Sequence, residues 1–499
     1  MRKIIIIGGG ISGLSCGVYL RHQGFDVTII ERNPNVGGFC TGWVRQGRYI
    51  DGCIHWLTGS KEGKTCNHIW KSVGAFKDDK ELIQLDTWGN FYYGDTVVPF
   101  LRDYKKSEEI WLNIAPEDKR QIKKFFKMVR ASMSVTLPMD KAPYDLSFKQ
   151  YMQVAFSVLK HPSYLYTMKM NTDKYALRFK NPAIRYAVKN AQPGPGNLFS
   201  MIYSYATVAS GDGGVPQGAS VALANNMLEK YLSLGGKVIT SEEVKDVLID
   251  NKTVKGIVLN NDERMSCDFL VAALDPYYTL HNLLHDKYKE KGMYKRLKDP
   301  YKYPPISAVL VTYEIEGLKE DFDTICTFPV EPFKVQGKEV DSIEIRNYSY
   351  DKKLFVKDNK TVCNTQIHQF HDEYLKWVEL YKDKKAYKAY KDEMAQEVIK
   401  RIETKFPEYK GKIHLLDVCT PITFNRYLNA KDGAYMSLFT PKKPRLSHKG
   451  KIKGLKNMLL CTNWQQTPGG LPFAVSQGKY TTQHVCKAYK IKFKEIIKP

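Results

Sequence analysis

The amino-acid sequence predicts an α/β fold: a Rossmann-type parallel sheet joined to an interleaved α+β second domain. Three observations predict it. A short apolar run at 4–7 leads at once into a glycine-rich turn and a helical pattern over 11–23. A second apolar strand follows at 26–30, and further short apolar strands recur after long insertions rich in Tyr, Phe, Met and Lys. The 499 residues are also enough for two domains.

The turn after the first strand holds Gly8, Gly10 and Gly13, with Ser12 beside the last of them. In such a turn the first glycine permits a tight bend and the second lets the backbone approach a pyrophosphate. The third lets helix and strand pack closely. The N-terminus of the helix then faces the phosphates with free N–H groups. These four residues are therefore predicted to bind a dinucleotide.

Glu31 ends the second strand, at the spacing where a carboxylate hydrogen-bonds a ribose hydroxyl. Arg32 is placed with it at the cofactor, and a surface arginine is the alternative. Gly37 and Gly38 come soon after and precede an aromatic residue, Phe39. Plain NAD dehydrogenases lack this glycine pair, which resembles the extended fingerprint of FAD enzymes related to amine oxidases and carotenoid desaturases. The expected cofactor is non-covalent FAD.

Later segments are expected to complete the same sheet. A helix is predicted over 219–234. After it come short strands, the first three forming a small meander, at 237–240, 244–249, 254–259 and 269–274.

Near the C-terminus a last buried strand is predicted over 457–464, ending at Trp464. A glycine turn through Gly470, Leu471 and Pro472 then leads into a helix over 473–489. The N-terminus of that helix offers free N–H groups and a partial positive charge to an anion.

The net charge is +23, and two segments carry almost only positive charge. Between 146 and 211 the only acidic residue is Asp173, and from 433 to 494 there is none. Such segments suit an anionic partner, a lipid surface or nucleic acid, and a solvated face without a partner is the alternative. The lysines belong to no recognisable nucleic-acid-reading module, so no nucleic-acid partner is expected.

Residues 148–159 are apolar around most of a helical circumference, with Lys149 near one end and Lys160 past the other. This segment is expected to lie in a bilayer interface, and a buried helix of the second domain is the alternative. The sequence shows no apolar run of about 18 residues. A signal peptide is not expected, because a strand is predicted almost at once. We expect a cytoplasmic protein, with peripheral contact to the inner face of the membrane as an open possibility.

Over nearly its whole length the chain resembles the phytoene desaturase, carotenoid isomerase and retinol saturase family of FAD enzymes. Besides the glycine turn, Glu31 and the glycine pair, the resemblance is carried by segments 50–56, 215–218, 269–276 and 464–472. Asp51-Gly52 followed by His55 is closer to the isomerase and saturase branch. The implied FAD-binding domain comprises 1–75, 205–285 and 441–499. Residues 76–204 and 286–440 would form a substrate-binding, membrane-contacting domain.

The resemblance also implies roles within the site. Val244 would lie at the adenine, and the helix after Pro472 would point at the pyrimidine edge of the flavin. His55 is the first candidate for proton transfer and Tyr435 the second, while Trp464 would line the flavin pocket. A structural role is the alternative for each. No metal-binding cluster stands out.

The expected activity is that of an FAD-dependent oxidoreductase acting on carbon–carbon double bonds of a carotenoid, retinoid or polyunsaturated lipid, with reduction as first choice. Desaturation and cis–trans isomerisation share the same machinery. Two further functions fit the resemblance: an amine-oxidase-like enzyme, and a non-enzymatic lipid binder like the Rab GDP-dissociation inhibitors. Only one dinucleotide turn is present in the sequence, so the electron donor is unknown.

Overall fold

The computed structural model describes residues 1–76, 82–134, 139–159, 166–167, 170–192, 197–288, 291–438, 447–467 and 469–497. Most strands belong to two sheets. In chain order the strands are β1 Lys3–Ile7, β2 Asp26–Ile30, β3 Gly42–Arg45, β4 Arg48–Asp51, β5 Leu57–Thr58, β6 Leu82–Ile83, β7 Thr87–Tyr93, β8 Thr96–Leu101, β9 Gly213–Pro216, β10 Lys237–Ile239, β11 Val244–Asp250, β12 Thr253–Leu259, β13 Arg264–Ser266, β14 Phe269–Ala272, β15 Ser307–Glu316, β16 Ile325–Val335, β17 Lys338–Asn347, β18 Val356–Lys357, β19 Lys360–Gln369, β20 Ile413–Cys419 and β21 Met458–Leu460.

The helices connect these strands, and the last helix follows the last strand. They are α1 Ile11–His22, α2 Thr65–Ser72, α3 Tyr104–Ile114, α4 Lys119–Met133, α5 Phe148–Leu159, α6 Thr172–Ala176, α7 Pro182–Asn190, α8 Leu198–Ala209, α9 Ala219–Ser233, α10 Pro276–Tyr278, α11 Lys291–Leu297, α12 Lys352–Phe355, α13 His371–Tyr381, α14 Lys384–Lys405, α15 Pro421–Leu428 and α16 Leu471–Ala488.

A five-stranded parallel sheet in the order β10-β2-β1-β14-β21 carries the glycine turn. Its strands are apolar on both faces because both faces are covered. Ile4 and Ile6 point to the side of helices α1, α9 and α16, whereas Ile5 and Ile7 point to the small antiparallel sheet β11-β12-β13. The α/β class and the Rossmann-type sheet are thus confirmed.

A second, larger sheet has the order β20-β15-β19-β17-β16-β7-β8, and the short β18 pairs with β19. Its strands are antiparallel except for the β16–β7 pair. Helices α13 and α14 cover one face, where Trp377, Val398 and Ile402 are fully buried against it. A cluster of α3, α4, α7 and α8 packs beside β7 and β8. The opposite face of the large sheet is therefore left for a cavity.

Three local predictions differ from the structure. Lys237–Ile239 is the edge strand of the parallel sheet, and Arg264–Ser266 supplies the third strand of the meander instead. The last strand is only Met458–Leu460, because Asn463–Gln465 turns into a 3-10 helix capped by the Thr462 side chain. The final helix begins at Leu471, two residues before the predicted start, because proline is well accommodated in a first helical turn.

Helix α5 is not a buried helix, so that alternative is wrong. Phe148, Tyr151 and Phe156 are 80%, 62% and 57% exposed. In the described part of the chain no helix combines the length and the apolar character needed to cross a bilayer.

Only some of the basic residues in the two positively charged segments belong to the described part of the chain. Lys160, Lys169, Lys442, Lys443 and Arg445 lie outside the described residues. Lys479 is fully buried, and its Nζ lies 3.2 Å from Asp140 Oδ1 and 3.0 Å from Glu495 Oε2, so it adds nothing to a basic face. The division into two domains at the boundaries given above stays a prediction.

Candidate functional site

One large cavity, of about 640 Å³, runs from the carboxyl ends of the parallel strands to the open face of the large sheet. This volume is typical of a site for a small organic ligand. All of the predicted cofactor and catalytic residues except Gly13 line it: Gly8, Gly10, Ser12, Glu31, Arg32, Gly37, Gly38, His55, Val244, Tyr435, Trp464, Gly470, Leu471 and Pro472. Their roles toward a ligand stay predictions.

The glycine turn is shaped by contacts that side chains would break. Gly8 has φ +101°, and a Cβ there would lie 2.7 Å from the Ala273 carbonyl oxygen. A Cβ on Gly13 would lie 2.0 Å from the Gly8 carbonyl oxygen. Gly13 therefore packs against the turn itself, behind the cavity wall, and only glycine fits there. At Gly10 the nearest atom would be 3.8 Å away. Gly10 therefore keeps an open space in front of the N-terminus of α1, where a phosphate group fits.

Glu31 is buried and already holds the loop together. Its Oε2 accepts a hydrogen bond from Gly9 N at 2.8 Å, and its Oε1 accepts from Asn33 N and Nδ2 at 2.8 and 3.0 Å. An ionised carboxylate has about four acceptor positions. One position remains for a donor such as a ribose hydroxyl.

Arg32 is tied to the protein rather than free at the surface. Its Nη1 donates to Asn429 Oδ1 at 2.7 Å, and its Nη2 donates to the carbonyls of Arg426 and Tyr427, both at 2.6 Å. These carbonyls belong to the C-terminal end of α15, where a positive charge is favoured. Arg32 is thus a partly exposed, hydrogen-bonded side chain that lines the cavity, and both its role at the cofactor and the surface-arginine alternative stay predictions.

The glycine pair folds back on the glycine turn. Gly37 and Gly38 have φ +118° and +61°, and Gly37 N donates to Gly9 O at 2.9 Å. Phe39 then stacks on Tyr435, with ring centroids 5.7 Å apart. The pair thus lets two loops meet without side chains between them.

Helix α16 aims its N-terminus at the cavity. Gly470, with φ +96°, caps it without any side-chain hydrogen bond, and Leu471 and Pro472 form its first turn. The partial positive charge of this 18-residue helix therefore faces the cavity without a capping side chain. Together with the N-terminus of α1, this arrangement fits a long, anionic dinucleotide such as FAD. Bound FAD would supply hydride or electron transfer.

Asp51 anchors the segment that carries His55. Its carboxylate accepts from Ser220 N, Ser220 Oγ and Cys53 N at 2.6, 2.8 and 2.9 Å. Ser220 Oγ also lies 3.0 Å from Ile54 N, which donates to it. Burial raises the pKa of Asp51 above its usual value. The sequence marked Asp51 only as part of a family motif, and its anchoring role was missed.

His55 faces the cavity with its Nε2 buried and without a partner in the described residues. Burial, then the nearby Arg346 and His368, lowers the pKa of His55 well below its usual value. The imidazole is therefore neutral at physiological pH, and a neutral ring offers one donor and one acceptor nitrogen.

Tyr435 is paired with a histidine that the sequence did not indicate. Its Oη lies 3.1 Å from Nδ1 of His368. Burial, then Lys338, lowers the pKa of His368 to about 3, and burial raises the pKa of Tyr435. The pair is therefore a phenol beside a neutral imidazole. A proton could be relayed through the two groups without a change in the net charge of the pair.

The large sheet contributes polar residues that the sequence analysis also missed. Ser342, Glu344 and Arg346 alternate along β17 with Ile343 and Ile345, which belong to the core on the other face. This period-2 pattern is visible in the sequence and was the available signal.

Comparisons with known proteins agree with this geometry. Residues 6–73 match the model of an NAD(P)-binding Rossmann-like domain. A 4,4'-diaponeurosporene oxygenase of Staphylococcus haemolyticus is 21% identical over 316 residues, which is 60% of each chain. The match thus spans less than two thirds of that relative.

Two solved structures share the fold. An oxidoreductase from Methanosarcina mazei superposes with a TM-score of 0.60 at 14% identity, covering 97% of this chain and 100% of its own. A putrescine oxidase variant redesigned in its cofactor binding superposes with a TM-score of 0.58 at 12% identity, covering 97% and 99%. The chain fits the carotenoid desaturase-like family of FAD oxidoreductases.

Two glycine variants separate packing from dinucleotide binding in this protein. Gly13→Ala should destabilise the fold by about 1–3 kcal/mol, because its methyl group meets backbone. Gly10→Ala should leave the melting temperature of the cofactor-free protein unchanged, yet purify without dinucleotide. Thermal unfolding and the cofactor content of the purified proteins measure both effects. Full cofactor content in Gly10→Ala would contradict the assignment.

The buried carboxyl group of Asp275 should make the stability of the folded protein depend on pH. It accepts N–H bonds from Tyr277, Tyr278 and Lys431, but burial raises the pKa of its carboxyl to about 6. The folded state therefore holds this proton more tightly than the unfolded state, so its contribution to stability falls as pH rises from about 4 to about 6.

The native protein is compared with the Asp275→Asn variant, whose amide side chain cannot ionise. The free energy of unfolding of the native protein, relative to the variant, should fall by up to about 3 kcal/mol across this range. Urea unfolding of both proteins at several pH values measures it, and a difference that is constant with pH would refute the explanation.

Proposed function

We propose that the protein is an FAD-dependent oxidoreductase that reduces carbon–carbon double bonds of a lipophilic unsaturated substrate. The observation that carries the proposal is a cavity with two unlike ends. One end has the glycine turn, Glu31 and the two helix N-termini. The other is lined by aromatic side chains, among them Trp56, Trp88 and Phe91.

The chemistry needs few side chains. A double bond held against the flavin requires orientation, exclusion of water and one group that gives or takes a proton. The aromatic end supplies orientation and excludes water. His55 and the Tyr435–His368 pair are the proton-transfer groups that face the cavity. At neutral pH Tyr435 carries its proton and is assigned the donor role, and neutral His55 has a free ring nitrogen and is assigned the acceptor role. Burial raises the pKa of Tyr435 and lowers the pKa of His55, so each is a weak acid or base.

Desaturation is disfavoured because the Asp51-Gly52 and His55 pattern resembles the saturase and isomerase branch. Between reduction and isomerisation, reduction is the first choice, and the experiment below decides. The staphylococcal relative is an oxygenase of a carotenoid, which supports a polyene as the substrate class. The amine-oxidase alternative is supported by fold alone, and the buried cations of the cavity disfavour a protonated amine.

The deciding experiment follows the visible absorption of the purified protein. After anaerobic reduction with just enough dithionite, an added unsaturated lipid or polyene should restore the oxidised-flavin bands. Gly10→Ala, which should lack flavin, is the control for unbound cofactor.

Different results would point to different functions. Reduced flavin that no unsaturated lipid reoxidises refutes the saturase assignment. Oxidised flavin bleached by an amine would establish amine oxidation instead. A colourless protein that releases no flavin would favour the non-enzymatic lipid binder.

We also propose that the protein takes its substrate from an anionic membrane surface, as a cytoplasmic, peripherally bound enzyme. The support is helix α5, whose exposed Phe148, Tyr151 and Phe156 lie beside Lys149. Aromatic side chains enter the headgroup region, and each nearby cation contributes about 1 kcal/mol on an anionic leaflet. The electron donor is a separate molecule or protein.

Vesicle flotation tests this contact. The native protein should float with phosphatidylglycerol vesicles and less with phosphatidylcholine vesicles. Replacing Phe148 and Phe156 together by Ser should reduce binding roughly tenfold or more, since two aromatic side chains that would enter the headgroup region are lost. Leu375→Ser, on the exposed face of α13, is the matched control because Leu375 is 49% exposed. Equal loss in both variants would refute a specific role for α5.

A further inference from the structure

The floor of the cavity carries a charged side chain that the proposed redox chemistry does not use. Arg346 lies on the cavity face of β17 and is only 6% exposed. Its Nη2 donates to Glu344 Oε1 at 3.0 Å. Its Nε is buried and has no acceptor among the described residues. A buried guanidinium N–H without an acceptor is unfavourable, so this edge is suited to an acceptor brought by a ligand.

Thr327 stands beside this arginine on the neighbouring strand. In the β16–β17 register Thr327 is opposite Glu344, and Arg346 is opposite Ile325. Both Thr327 and Arg346 therefore occupy the same face, one step apart. Thr327 is 5% exposed, and its Oγ1 also lacks a partner in the part of the chain that the structure describes. Two unused donors thus lie together on the floor.

Arg346 is the cation beside these donors, and its partner carboxylate, Glu344, pairs with its Nη2. Lys338 stands eight residues earlier on β17, at the hairpin end of the strand, where its Nζ donates to the His368 carbonyl at 2.6 Å. The carboxylate of Asp341, at the exposed edge, lies 3.7 Å from Lys189. His55 is neutral, so it adds no charge beside Arg346.

We propose that Arg346 and Thr327 bind the carboxylate of the substrate, which is an unsaturated lipid acid. A carboxylate has two coplanar oxygens, one for the buried, unpartnered Nε of the arginine and one for the threonine hydroxyl. The apolar chain then lies along the aromatic side chains of the same end, among them Phe91, which is paired with Thr327 across β16 and β7, and passes His55 and Tyr435. The inference rests on the proposed function. It narrows the unsaturated lipid substrate from three classes, hydrocarbons, alcohols and acids, to the acids alone.

Binding, rather than turnover, tests the site. The probes are linolenic acid and its methyl ester, titrated into the flavin-containing protein near pH 8 and below the micelle concentration, by calorimetry. The acid should bind about tenfold or more tightly than the ester, because only the acid offers an ionised acceptor. Arg346→Gln should remove this preference and leave binding of the ester unchanged.

Two further variants show whether a loss of acid binding in Arg346→Gln could come from misfolding. Thr327→Val keeps the shape of the side chain and removes only the unpartnered hydroxyl, so it should weaken acid binding severalfold with no loss of melting temperature. Arg102→Gln removes a surface arginine that is paired with Asp86 outside the cavity, and it should bind both probes as the native protein does.

The outcomes separate this inference from the proposed function. Equal affinity for acid and ester, or acid binding that neither Arg346→Gln nor Thr327→Val weakens, overturns the carboxylate site even if unsaturated lipids reoxidise the flavin. A preference for the acid that depends on Arg346 supports the site even if no lipid accepts electrons from the flavin.

Discussion

The cavity depends on one buried carboxylate. The Asp51 side chain binds the first turn of α9 through Ser220, and the Asp51 carbonyl accepts a hydrogen bond from Tyr348 Oη at 2.8 Å. Helix α9 packs under the parallel sheet, while Tyr348 follows β17 of the large sheet. Asp51 is therefore the joint between the two sheets, and the segment that leaves it carries His55 into the space between them. Burial disfavours the ionised form of the Asp51 carboxylate, and three hydrogen bonds from N–H or O–H donors offset that penalty.

The two ends of the cavity differ because they are built from different parts of the backbone. At the cofactor end, glycines and helix N-termini present main-chain N–H groups, which suit phosphates. At the far end, the pleat of the large sheet presents alternate side chains, so aromatic, polar and charged groups stand on one face. The first arrangement tolerates little variation in residue type. The second can change its ligand by changing alternate residues of a strand without disturbing the core beneath.

This difference explains what the sequence could predict. The glycine turn, Glu31, Gly37 and Gly38 form a local pattern, and the cofactor end follows from it almost completely. The place of Lys237–Ile239 could not be read locally, because its partner strand lies more than 200 residues earlier. His368 and Arg346 were missed for the same reason: only strand pairing brings them to His55. The family motif placed His55 correctly in the cavity, but only the structure shows its burial.

Electrostatics also bear on the choice among enzyme classes that share this fold. A protonated amine entering the far end would meet Arg346, and the carboxylate of Glu344 is already engaged with that arginine. Neutral His55 and His368 offer no compensating negative charge. A neutral polyene would leave the buried Nε of Arg346 unpaired, which is unfavourable in a site that excludes water. The proposed anionic headgroup on an apolar chain would instead pair with Arg346 while its chain packs against the aromatic wall.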